Sequence, residues 1–310
     1  MNPLREAMQD YLAMRRELGF KMYEAGLKLP RFIEFLEQRK APHITVALAL
    51  EWAQQPTSVL PAERARRLSY VRGFARHHKA TDPLTEIPPC GLLPYRPGRA
   101  KPYFYSPQEV EGLLAAARGL SPATGLHPWT YSCLFGLLSV SGMRIGEALR
   151  LKVSDVDLDR AVLRIEGSKC RRSRLVPIHA STAVALADYL ERRALFLAGR
   201  PAPNLFISGR GNRLDGADVH RMFYALSRQL GLRALGASCG PRLHDFRHRF
   251  AGLTLLHWYQ QGQDVERLLP VLSTYLGHIH VANTYWYLDA WPELMTQAMQ
   301  RLERRWGNAS

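Results

Sequence analysis

Residues 243–252 read LHDFRHRFAG, and what this run binds decides which fold the chain can have. His244, Arg247, His248 and Arg249 crowd imidazole and guanidinium nitrogen into a segment otherwise rich in leucine and phenylalanine. Two ligands compete for it. His244 and His248 are four residues apart, which on a helix places both on one face, as zinc-dependent peptidases present two imidazoles. Those enzymes need a glutamate in the next position, where this chain has the shorter Asp245, and Arg247 and Arg249 would repel a divalent cation. The alternative pairs His244 with Arg247, an H-x-x-R spacing that also shares one helical face and leaves Arg249 pointing away. Arginine suits a phosphate because its planar fork donates two parallel charge-assisted bonds and stays protonated. Taken alone, the pair reads better as a surface ion pair beside a hydrogen-bonded histidine, so the anion reading needs further residues.

Composition favours the anion. The 310 residues carry 42 Lys and Arg against 27 Asp and Glu, a formal charge of +15. Such an excess raises both the encounter rate with and the affinity for a polyanion. With 46% hydrophobic residues the chain can bury a real core, and its length suits two domains. Cys90, Cys133, Cys170 and Cys239 are scattered, without a C-x-x-C pair, so neither a disulfide framework nor a cysteine zinc site is expected. The first twenty residues mix charges among apolar positions, unlike a signal peptide, and no stretch reaches the roughly 18 apolar residues of a membrane span. The expected polyanion is therefore nucleic acid rather than a membrane, met in the cytoplasm at the nucleoid.

The chain is predicted to divide in two. Residues 3–80 hold apolar positions at helical spacing and read as four helices. The last, 61–80, opens with Pro61 and surrounds its apolar stripe with Arg64, Arg66, Arg67, Arg72, Arg76 and Lys79 against Glu63 alone. Arg64, Arg67, Arg72 and Arg76 are accordingly candidate contacts to a DNA backbone. Residues 88–102, PPCGLLPYRPGRAKP, contain five prolines and no period, which marks a linker between a helical domain over 1–87 and a second domain over 103–310. The second domain begins with an N-cap signal, Ser106-Pro107-Gln108-Glu109. It is mostly helical, except for two strand-like runs over 161–166 and 173–178 joined by a turn whose tip carries Lys169, Arg171 and Arg172. Arg171 and Arg172 join the candidate backbone contacts.

Other blocks complete the pattern begun by LHDFRHRF. SGMRIGEALRL at 141–151 delivers Arg144 after a glycine, with Glu147 at the start of a short helix; LGHIHVANTYWY at 276–287 offers His278 and, nine residues later, Tyr287. The order Arg144, Lys169, His244, Arg247, His278, Tyr287, carried by these blocks and the hairpin SKCRRSRLVPIH at 168–179, resembles the tyrosine recombinase (phage integrase) family.

The resemblance implies a mainly α fold with a small β-hairpin or sheet, built as a two-domain DNA clamp of a helical core-binding domain and a catalytic domain. It implies a site-specific DNA recombinase or integrase working through a covalent 3′-phosphotyrosine, with those six residues catalytic, Glu147 supporting, and no metal or cofactor. Partners would be double-stranded DNA, copies of the chain in a tetrameric synapse, and related recombinases or accessory DNA-bending proteins. Alternatives on the same site are relaxation of DNA in the manner of a type IB topoisomerase, or a DNA-binding regulator that has lost the chemistry. The family's nine-residue spacing selects Tyr287 as nucleophile over Tyr275 and Tyr285, leaving Tyr285 to pack. His248 and Arg249 are left for packing or backbone contact. The segment between Arg247 and His278 is longer than the family's usual helix-turn-helix, so an additional loop or turn is expected there. After Tyr287, Leu294, Met295, Ala298 and Leu302 form one helical stripe that would pack on this domain or on a neighbouring copy.

Overall fold

The computed structural model describes residues 3–55, 58–93, 101–122, 125–167, 173–237, 239–282, 284–285, 294–296, 299–300 and 303. The chain forms two compact units, Met1–Ala100 and Lys101–Ser310. The first contains four described helices: α1 (Pro3–Glu17), α2 (Tyr23–Gln38), α3 (Val46–Gln54) and α4 (Pro61–His78). Their apolar stripes meet in a core of Leu29, Phe32, Ile33, Leu36, Trp52, Leu68, Val71 and Phe74. Thr45 caps α3 by accepting the Leu48 N–H, and Pro61 starts α4 where a missing N–H costs nothing.

The basic face expected on α4 is smaller than its sequence suggests. Arg66 and Arg76 are exposed and Arg64 is half-buried, but Arg67 is 7% exposed. Its guanidinium lies 3.8 Å above the Trp52 ring and donates to the Trp52 carbonyl at 2.7 Å. Arg67 is therefore a packing residue, and the expectation that it meets DNA is corrected: its position continues the inward stripe through Val71 and Phe74. Arg72 is also committed, donating to the carbonyls of Pro88 and Pro89 at 2.7 and 2.9 Å and so tying the following segment to α4. Arg67→Ala is expected to cost about 2 kcal/mol, from the lost stacking and the stranded Trp52 carbonyl. Thermal unfolding should register that loss while the salt dependence of DNA binding stays unchanged; a flatter salt slope at full stability would put Arg67 back on the DNA.

The second unit is built round α6 (His127–Ser141), which is buried along most of its length. Packed on it are α5 (Pro107–Arg118) and α8 (Ala180–Leu197), with α9 (Gly216–Gln229) against α5. The start of α5 is a full capping box, Ser106 accepting the Glu109 N–H while Glu109 accepts the Ser106 N–H. Between α6 and α8 lie the four-residue α7 (Ile145–Ala148) and an antiparallel sheet of β1 (Val156–Asp157), β2 (Val162–Ile165) and β3 (Arg174–Pro177). Ile165 pairs with Arg174 and Val162 with Pro177. The period of two buries Leu163, Ile165 and Val176 and leaves Leu175 outside. The hairpin expected from sequence thus has a third strand, too short to show alternation.

Helices α10 (Asp245–Gln260) and α11 (Val265–Leu276) complete the described unit. They follow each other through a four-residue turn, so the stretch between Arg247 and His278, where an additional loop or turn is expected, consists of two helices joined by that turn. Ala251, Leu255, Val265, Leu269, Leu272 and Leu276 form a second small core, which Leu294 joins. Leu294 thereby packs on its own unit, whereas Met295 is exposed; Ala298 and Leu302 lie outside the described residues. No described helix is long and apolar enough to cross a membrane.

Candidate active site

The end of α11 organises the site. A helix C-terminus leaves its last carbonyls without intrahelical partners. Here they are met by guanidinium groups from three different parts of the chain. Arg174 Nε donates to the Tyr275 carbonyl at 2.7 Å. Arg144 Nη1 and Nη2 donate to Leu276 and Gly277 at 3.3 and 3.1 Å. Arg247 Nη2 reaches Leu276 at 2.6 Å. Cations at the negative end of the helix dipole are favoured as well as hydrogen-bonded.

Gly277 makes this end possible. It sits at φ +68, and a Cβ would approach Arg174 Nη1 to 2.9 Å. The reversal lets the His278 N–H return to the Ser273 carbonyl at 2.9 Å, a helix-terminating pattern that starts the next segment with the His278 side chain. His278 Nδ1 is 2.8 Å from Thr284 Oγ1, and Thr284 is fully buried, so the ring is held from behind.

Arg144 directly precedes α7 in extended conformation and is half-buried. Glu147, 3% exposed, accepts from the Arg144 backbone N–H at 3.0 Å and from Arg144 Nη1 at 3.0 Å. It also accepts both Arg174 Nη groups, at 3.1 and 2.8 Å. Burial alone would raise the carboxyl pKa; the hydrogen bonds and charge of Arg174, with those of Arg144, overcome this and bring it to about 2.

Arg247 comes from the first turn of α10 and is 1% exposed, its Nη1 on the Gly142 carbonyl at 2.9 Å. Gly142 ends α6 at φ +58, where a Cβ would lie 2.5 Å from the Phe250 ring, so only glycine lets α10 approach this closely. His244 precedes α10 and is exposed. Its ring meets that of His248 edge to face at 4.7 Å. Asp245, fully buried, accepts three bonds from Arg242. Arg249 donates to the Tyr105 carbonyl.

All three imidazoles are held below their ordinary range. For His244 the causes are burial and then the Arg247 charge. His278 falls to about 3 through burial, Arg247 and Arg144, and His248 to about 3 through burial and its neighbour His244. At neutral pH they are uncharged donors and acceptors.

Of the residues singled out in the sequence, Arg144, Glu147, Arg247 and His278 thus meet around one helix end, with His244 one turn before Arg247. Lys169, Arg171, Arg172 and Tyr287 lie outside the described residues. Tyr285, expected to pack, is instead 50% exposed, while Tyr275 stacks on Phe250. The residue that spacing did not disclose is Arg174. Its signal was alternation: it shares the inward face of β3 with Val176, and an arginine pointing inward requires a buried partner.

Solved structures that share this architecture include DNA recombinases and integrases. The Tn1549 transposon integrase, determined with transposon right-end DNA, matches at TM-score 0.65 over 96% of this chain and 98% of that one, at 16% identity. A lambda integrase dimer bound to a core site matches at 0.59 over 92% and 76%, at 18% identity. The fold is that of the tyrosine recombinases. Sequence carries the relation further: residues 104–293 match the Phage integrase family. The integrase/recombinase y4rB of Sinorhizobium fredii (strain NBRC 101917 / NGR234) is 58% identical over 310 residues, 99% of each chain. The tyrosine recombinase XerD of Caulobacter vibrioides is 32% identical over 77% of this chain and 74% of its own. The chain belongs to the Phage integrase family.

Proposed function

We propose that the residues gathered at the end of α11 bind the scissile phosphate of duplex DNA and that Tyr287 attacks it, leaving a 3′-phosphotyrosine and a free 5′ hydroxyl. The observation that carries this reading is the convergence of Arg144 and Arg247, far apart in sequence, on the Leu276 carbonyl two residues before His278. Guanidinium groups fixed by their outer donors are preorganised to meet the charge that builds on nonbridging oxygens in the transition state. His244 and His278, uncharged in the DNA-free chain, donate to the same oxygens, and an arriving anion raises their proton affinity. Arg247 is buried and Arg144 half-buried, so Arg144 is the guanidinium more open to an arriving phosphate.

Lys169 protonates the departing 5′ oxygen. The phosphotyrosine conserves the bond energy, so a 5′ hydroxyl from another strand reverses the step without ATP. No metal is needed, because two guanidiniums supply the positive charge that metal ions supply elsewhere. Tyr287, Lys169, Arg144, His244, Arg247 and His278 are thus the catalytic residues, with Glu147 supporting Arg144. DNA-backbone contacts are assigned to Arg64, Arg76, Arg171 and Arg172. Both compact units contact the duplex, and four copies form the synapse in which strands exchange.

Strand exchange between two labelled duplexes taken from DNA flanking the protein's own gene, run in excess EDTA, tests the proposal. Recombinant joints at the rate seen without chelator are expected. Activity lost in EDTA and restored by Zn²⁺ or Mg²⁺ would contradict the metal-free mechanism. Relaxation of one duplex with no joint between two would replace strand exchange by topoisomerase action.

A further inference from the structure

A buried carboxylate is an odd neighbour for an anion site. Glu147 bonds Arg144 through both its backbone N–H and its guanidinium, which fixes where Arg144 points. A one-to-one pair so buried would also cancel the Arg144 charge, and low local polarity strengthens that cancellation. Arg174 changes the balance. Its two Nη groups take both oxygens of the same carboxylate, and its Nε takes the Tyr275 carbonyl. The Arg174 side chain is 11% exposed and that of Glu147 1%, against 27% for Arg144. Two guanidiniums therefore share one carboxylate, and of the three groups Arg144 is the most open to solvent.

We propose that Arg174 is a positioning residue that balances the charge of Glu147, so that Glu147 can orient Arg144 without cancelling the positive charge Arg144 offers to DNA. The inference rests on reading Arg144 as a phosphate ligand. It gives Arg174 a task that spacing alone did not disclose, and it explains why a carboxylate is tolerated beside the phosphate: it is matched from behind. The bidentate geometry suits arginine because a planar fork meets both oxygens at once.

The test is single-turnover cleavage of a suicide duplex from the gene's flanking DNA by the full chain and four variants. Arg144→Ala should slow cleavage by roughly 10²- to 10³-fold, as for loss of a direct transition-state donor. Arg174→Ala, acting through Arg144, should slow it by about 10- to 100-fold. Adding Glu147→Gln to Arg174→Ala removes the unmatched charge and should recover at least about tenfold of that loss. A role for Arg174 in packing alone would make the double variant slower still, and that result overturns the proposal. Arg174→Lys keeps the charge, loses the fork and should stay within roughly tenfold of the unaltered chain. If Arg174→Ala does not fold, this variant decides: a folded Arg174→Lys as slow as Arg144→Ala also overturns the proposal. Should Arg144→Ala cleave at the normal rate, the phosphate reading of the site is at fault and the charge balance falls with it. A slow Arg144→Ala with no recovery in the double variant removes the charge balance alone.

Discussion

Tyr287→Phe is expected to bind duplex DNA as tightly as the unaltered chain and to form no covalent adduct at all. A phenol, with a reference pKa of about 10, is mostly protonated at neutral pH and attacks phosphorus only in a cationic, preorganised setting. The substitution removes that one oxygen and leaves in place the guanidiniums and imidazoles proposed to bind DNA. Tyr285→Phe is the control. With half its surface exposed, Tyr285 can lose its hydroxyl without disturbing a core, and it should form adduct normally. An adduct that persists in Tyr287→Phe and vanishes in Tyr285→Phe would transfer the nucleophile to Tyr285.

The second large effect belongs to Lys169. An alkoxide is a poor leaving group at neutral pH, so Lys169→Ala should cleave ordinary DNA about 10²- to 10⁴-fold more slowly, the usual contribution of a general acid. With sulfur in place of the bridging 5′ oxygen, the departing thiolate is stable without protonation, since thiols have a reference pKa of about 8.5. The deficit should then shrink or vanish. Arg144→Ala should stay slow on both substrates, because its proposed contacts are to nonbridging oxygens. Equal defects of Lys169→Ala on oxygen and sulfur substrates would make Lys169 a backbone contact and pass the acid's role to Arg171, Arg172 or a histidine.

Features written in local chemistry were readable before the fold was known. The Ser106–Glu109 capping box, the apolar periods of α1 to α4 and the β2–β3 alternation depend on neighbours within a few residues. What the spacing could not show is that Arg144, Arg174 and Arg247 share the end of α11, because that depends on where three packed elements terminate. Arg67 illustrates a different failure. Its charge drew attention to the α4 surface, yet the 67–71–74 spacing placed it on the inward stripe, where Trp52 accepts it. Tyr285 failed in the opposite sense, an aromatic assigned to a core that does not reach it. Arg174 was legible in principle, through the alternation that also buries Val176.

The central claim is that this chain joins DNA to itself through Tyr287. Its most direct test is to trap the complex on a suicide duplex whose cleaved 5′ fragment diffuses away, digest the protein and identify the peptide that carries the nucleotide. The account requires a single adduct, a 3′-phosphoryl ester on Tyr287, formed in EDTA. A nucleotide on any other residue, or DNA bound tightly by the unaltered chain with no covalent adduct on duplexes spanning its own flanking DNA, would contradict it.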